Sequence, residues 1–399
     1  MVKRTLPALC REPALLAHTL LLAALLLASG LANAGPNDIL IGLDQKVTYG
    51  PDGSVNGSPG KDEVLVMDIS TPAKPVIRAR IALMNSLLGP PTNLQITPDG
   101  KFGLVANSVL HTPDVNGFKV SPDERLFVID LTASPPKLSD TVTVGKQPSG
   151  LAISRQGDLA LVANRNGKSV SVLTITAGKV SPVGDITLEQ EAAAVAITPD
   201  GKRAFVCLNL ANRIGVLTIE GQKVTYDKAM DIPIAFNPYN VDITPNGKFV
   251  IVSTTGAGKN NGDTMAVIDP SGPHPHTVNV ISPGNGPEGF AISPDGKWVA
   301  VALLLGSGAK QSDWYKTKGG ELALMSLDSN KGELTVVSRA PLGGLPEGVV
   351  FSPKSDYIYV GNFFDSDLQV FRIQGNALKA AGPNIKLGGQ PASIRALAH

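Results

Sequence analysis

One phrase recurs six times along the chain: a short apolar stretch closed by Ser or Thr, a polar turn of Pro-Asp-Gly-Lys type, then a second apolar stretch. The copies occupy 94–105, 151–162, 195–206, 241–252, 290–301 and 349–360. The closing Ser/Thr residues, Thr97, Ser154, Thr198, Thr244, Ser293 and Ser352, stand between 44 and 59 residues apart. Apolar residues within each copy alternate or run in short blocks, the period of strands rather than helices. A repeat of about 50 residues without helical periodicity predicts a β-propeller, one four-stranded blade per repeat. The polar turn joins the first two strands of a blade, Pro fixing φ and Gly tolerating positive φ.

The chain ends supply the blade count. Residues 38–43, 63–69 and 75–83 read as strands two, three and four of a blade that lacks its first strand, and 391–397 read as a first strand with nothing after it. Joined, they complete a seventh blade and close the ring, removing the edges an open array would expose. The expected architecture is an all-β, seven-bladed propeller spanning 35–399 as one domain. In the one fully parsed blade the strands are 150–154, 159–163 and 169–175, with an outer strand near 183–188.

Composition adds limits. Lys3, Arg4 and Arg11 flank an apolar run at 20–28, and Ala32-Asn33-Ala34 offers small residues for cleavage. Residues 1–34 therefore read as a secretory signal peptide, with periplasmic or secreted localisation expected and no stable membrane insertion. The balance of 35 Lys+Arg against 34 Asp+Glu argues against nucleic acid as a partner. Cys207 alone follows the leader, in an apolar strand, and reads as an inert buried thiol. A monomer is expected, with a small molecule or an exported protein as partner.

Four long insertions, 44–62, 110–123, 254–263 and 304–320, all connect strands two and three. They project from one face, opposite the Pro-Asp-Gly turns, and long loops on a rigid scaffold are where binding concentrates.

The run Gln147-Pro148-Ser149-Gly150-Leu151-Ala152-Ile153-Ser154, followed by Ala160-Leu161-Val162-Ala163-Asn164, resembles the YVTN-type β-propeller repeat; Tyr359-Val360-Gly361-Asn362 comes closest to its namesake tetrapeptide. The resemblance covers the whole chain after the leader. It implies the propeller fold, and a group that includes lactonase-type enzymes, surface-layer proteins and amine dehydrogenase subunits. Lactonase-type relatives, similar to 6-phosphogluconolactonase and muconate cycloisomerase propellers, carry His near the start of an inner strand with Arg and Glu nearby. Here the matching positions hold Thr92, Ser149, Ala193, Tyr239, Glu288, Glu347 and Ala392. None is His, a departure from that pattern.

Glu288 and Glu347, each in Pro-Glu-Gly and in adjacent blades, are the leading candidates for chemistry. They could share a proton, bind a divalent cation or receive a cationic ligand; equally, they could cap backbone amides or pair with a base. No other cofactor is expected. Gln95, Asp242 and Arg395 suggest a polar cluster lining the channel. Tyr239 and the loop aromatics Trp314 and Tyr315 are ligand or partner contacts, or a plug over the channel mouth. Asn107, Asn164, Asn209 and Asn362 recur at the ends of second strands, where a side chain can stabilise the following turn. Gly284-Asn285-Gly286-Pro287-Glu288-Gly289 matches a dinucleotide-binding glycine pattern in letters only, because no helix follows it. With no complete catalytic constellation visible, the favoured reading is a binding or scaffold module acting through the long-loop face. The alternative is a lactonase-type hydrolase or isomerase using Glu288, Glu347 and Arg395.

Overall fold

In the computed structural model the described residues are 35, 37–58, 60–115, 117–256 and 259–398. The expected signal peptide lies outside them. Seven antiparallel sheets, ordered from the axis outward, make up the ring. Apart from two single 3-10 turns, Asn209–Ala211 and Lys228–Met230, the described elements are all strands. Among the described residues no helix is long and apolar enough to cross a membrane.

The first blade joins both termini. Pro391–Arg395 is its inner strand, followed outward by Asp38–Leu43, Glu63–Asp68 and Val76–Ala82. Leu40 pairs with Arg395 and Ile41 with Ile394. The terminal segment also reaches the second blade, where Ala398 N donates to Ile96 O at 2.9 Å. The last residues thus bond to two blades at once, which locks the closure.

Alternation decides packing. Each pair of neighbouring blades shares its own buried apolar cluster. Leu40, Val64 and Val66 of the first blade meet Leu94, Val105 and Phe127 of the second. Across the other side of the first blade, Ile39, Ile41 and Leu65 meet Tyr359, Leu368 and Val370 of the seventh. Every sheet therefore buries both faces, and apolar burial at about 25 cal/mol per Å² holds the ring without a disulfide. Cys207 is fully buried, and desolvation pushes its thiol far above the ordinary range. That makes it inert.

The recurring polar turn is a hydrogen-bonded device. Thr97 Oγ1 donates to Asp99 Oδ1 at 2.6 Å and accepts from Phe102 N at 3.1 Å. Thr198 with Asp200 and Ser293 with Asp295 repeat the first contact at 2.6 Å. Gly100, Gly201 and Gly296 all adopt positive φ near 70°.

Two expectations need correction. The insertion 110–123 is not a loop: Phe102–Asp114 and Gly117–Asp130 continue as one long hairpin, paired through Asp114↔Gly117. Each arm satisfies the other's backbone groups beyond the blade, so the strands do not stop at its edge. In the third blade the outer strand begins at Lys179 rather than near residue 183, with a bulge opposite Val172/Leu173. An outer strand with an exposed face shows little apolar alternation to mark its start.

Candidate functional site

Three consecutive inner strands, Pro238–Ile243, Pro287–Ile292 and Pro346–Phe351, open with proline, and their second residues are Tyr239, Glu288 and Glu347. These strands sit close together. A Cβ added at Gly289 would fall on the carbonyl oxygen of Glu347, so the Gly of Pro-Glu-Gly is what lets the two carboxylate-bearing strands approach.

The three side chains line a cavity of 350 Å³ on the long-loop face. Its walls come from several insertions: Tyr49 from 44–62, Lys259 from 254–263, and Gly306 and Tyr315 from 304–320. Leu87–Gly89 of the link between the first two blades, with Arg165 of the third, complete the rim. A concave site of this size, with a few converging polar groups, is the ordinary form of a small-molecule site.

Burial and like charge set the electrostatics. Glu347 is 2% exposed and its Oε2 has no hydrogen-bond partner. Desolvation, then the neighbouring Glu288, hold its carboxyl well above the usual range. Glu288 is also raised by desolvation, opposed by a hydrogen bond from the Tyr239 hydroxyl and by the charge of Arg165. Both carboxyls are thus shifted toward the acid form, and the tyrosine hydroxyl and arginine beside Glu288 alone make it the easier of the two to ionise, an arrangement in which two neighbouring acids can share a proton. Arg165 lies over the Tyr239 ring at 5.7 Å and is steadied by Asn209 Oδ1 at 3.1 Å and Glu191 at 3.5 Å. Behind the site, Asp263 Oδ2 accepts from Gly286 N at 2.8 Å, tethering the turn that leads into Glu288.

Gln95, Asp242 and Arg395 do come together, but elsewhere. They line a separate cavity of 110 Å³ beside Pro199, Pro245 and Pro294 of the polar turns, at the opposite end of the inner strands. Arg395 stands 4.0 Å from Asp242 across this space. It shares no cavity wall with Glu288 or Glu347, because its place on the inner strand is three residues further along, about 10 Å at strand rise. Arg165 is the guanidinium beside the carboxylates.

Trp314 is 80% exposed on the rim, edge-on to Tyr315 at 5.6 Å, and only Tyr315 lines the cavity. The recurrent asparagines serve local turns or neighbouring strands: Asn164 Nδ2 donates to Ser169 Oγ at 3.0 Å, and Asn209 Nδ2 to Pro238 O at 3.0 Å. Among the described residues no group of three His, Cys, Asp or Glu side chains comes together that could hold a metal ion. Glu288 and Glu347 offer two carboxylates only. Sequence reasoning overlooked Arg165, Tyr49 and Lys259. Arg165 carried a signal, since the residues after the recurrent asparagines, Ser108, Arg165, Leu210 and Phe363, disagree as sharply as the inner-strand positions do.

Residues 178–260 match the family model described as lactonase, 7-bladed beta-propeller. That match spans about a fifth of the chain, and the ring as a whole places the molecule in the class of seven-bladed β-propellers. A candidate 6-phosphogluconolactonase of Bacteroides uniformis superimposes with a TM-score of 0.68 at 20% identity, covering 90% of this chain and 98% of its own. The periplasmic gluconolactonase of Pseudomonas aeruginosa gives 0.62 at 18% identity, covering 90% and 98%. Hydrazine synthase of Kuenenia stuttgartiensis gives 0.56 at 21%, covering 73% and 78%. At such identities the likeness speaks to the fold alone. No curated protein sequence matches the chain.

Proposed function

We propose that the chain is an exported lactone hydrolase whose active site is the long-loop cavity. The observation that carries this reading is the Glu288–Glu347 pair, two buried carboxyls from adjacent inner strands that line one ligand-sized pocket, with Tyr239 and Arg165 beside Glu288 alone. The family match and the gluconolactonase likeness support it over a scaffold role, and binding through the long-loop face is common to both readings.

The chemistry follows from the pair. Ionised Glu288 takes a proton from water as its oxygen adds to the lactone carbonyl carbon. Protonated Glu347 delivers its proton to the ring oxygen as the acyl C–O bond breaks, leaving an open hydroxy acid. Arg165 and Lys259 supply positive charge on the cavity wall for the developing oxyanion or for an acidic group of the substrate. Arg395, at the other end, takes no part.

The test is hydrolysis of glucono-δ-lactone and its 6-phosphate by the purified protein, followed by acid release above the uncatalysed background. Glu288→Gln and Glu347→Gln are each expected to lower turnover by about a hundredfold or more. Unchanged turnover in both variants overturns the assignment. The rate should rise with pH toward about 7 as Glu288 ionises, and fall again as Glu347 loses its proton.

A further inference from the structure

The candidate active site does not end at its own walls. Tyr49 and Ala309 line it on one side and, on their other side, line a second pocket of 510 Å³. This space lies between two insertions, the hairpin Val47–Gly50/Gly53–Asn56 and the segment 304–320. The two are joined where Gln311 N donates to Pro51 O at 2.8 Å.

The floor is aromatic and fixed. Phe364 packs against Tyr49 at 4.9 Å and against Phe363 at 6.1 Å, and Phe363 is fully buried. Val47, Leu87, Leu345 and Phe363 form a small apolar cluster of their own beneath it. The rim is polar but close to neutral: Thr48, Gln311 and Gln390 supply a hydroxyl and two amides. The single ammonium, Lys316 Nζ, is already donated to Ser307 O and lies 5.7 Å from the centre of the Phe364 ring. Aromatic faces edged by amides and a hydroxyl, with the one ammonium partly engaged by a backbone carbonyl, suit a ligand with an apolar C–H face and several hydroxyl groups.

We infer that this pocket is a second sugar subsite, and that the preferred substrate is a glycosyl-aldonolactone: the lactone ring between Glu288 and Glu347, and a further neutral sugar ring on Phe364 and Tyr49. This rests on the hydrolase reading above and adds the size and chemistry of the substrate.

Two measurements on the purified full-chain product separate this inference from that reading. The first compares kcat/KM for cellobionolactone and maltobionolactone with that for glucono-δ-lactone. The better disaccharide lactone is expected to exceed the single ring by roughly five- to tenfold, the scale of one aromatic contact. Phe364→Ala and, independently, the rim variant Gln311→Ala should each shrink that ratio. If glucono-δ-lactone is hydrolysed and the ratio is one or less, the subsite is overturned while the hydrolase reading stands. The second is calorimetric binding of the open acids cellobionate and maltobionate against gluconate, which needs no turnover. Tighter disaccharide binding that weakens in Phe364→Ala supports the subsite even if no lactone is cleaved. Equal affinity for all three acids overturns it.

Discussion

Two buried ionisable residues show how differently burial can be met. Lys46 is 1% exposed, and its ammonium is held by Asp44 Oδ1 at 3.1 Å, by Asp62 and by the Asn85 carbonyl. The neighbouring amides of Leu87 and Gln45 donate to the same two carboxylates at 2.8 and 2.9 Å. Lys46→Met strands both acids without their cation and should cost about 3–5 kcal/mol in denaturant unfolding. Glu347 has no such partner. Because its folded-state carboxyl is raised, it adds stability below the ordinary carboxyl range, and that stability is lost as pH rises through the raised value. Glu347→Gln should therefore raise the melting temperature at pH 8 and flatten the fall between pH 5 and pH 8, even as turnover is lost. A lower melting temperature at pH 8 would show the carboxylate to be structural. Of these residues, Glu347 was legible as a candidate from its strand position. The Lys46 network was not, since Asn85 enters it only through tertiary contact.

At the scale of elements, the site depends on how closely inner strands approach. Gly289 faces the Glu347 carbonyl and Gly348 faces the backbone of Ile394, so each Pro-Glu-Gly glycine marks a contact between neighbouring strands. Gly289→Ala must push Pro287–Ile292 away from Pro346–Phe351, costing roughly 1–3 kcal/mol. It should also lower turnover by more than the stability loss accounts for, because the two carboxylates separate. Wild-type kinetics and melting in this variant would mean the spacing is not critical. The Pro-Glu-Gly pattern announced two special positions, yet it could not say that their strands touch. Nor did the pattern of 110–123 announce a hairpin, for its arms are paired by backbone hydrogen bonds that any polar side chain permits.

For the whole molecule, closure is the decisive event. Removing Pro391–His399 would leave Asp38–Leu43 without its inner neighbour and open the ring between the first and seventh blades. Such a chain is expected to lose its cooperative urea transition and to associate through the exposed edge, which size-exclusion chromatography would register. A monomer with an unchanged midpoint would contradict that. Seven blades, their strand order and this shared blade follow from the sequence, because alternation and turn chemistry are local properties that every repeat restates. So does the face that carries long insertions, since connectivity alone assigns it. The make-up of the site is different. Arg165 beside Glu288, Tyr49 beside Phe364, and Arg395 at the far end of the channel depend on which loops lean together and on depth along a strand. Those relations join residues far apart in the sequence, and only packing of the closed ring brings them together or keeps them apart.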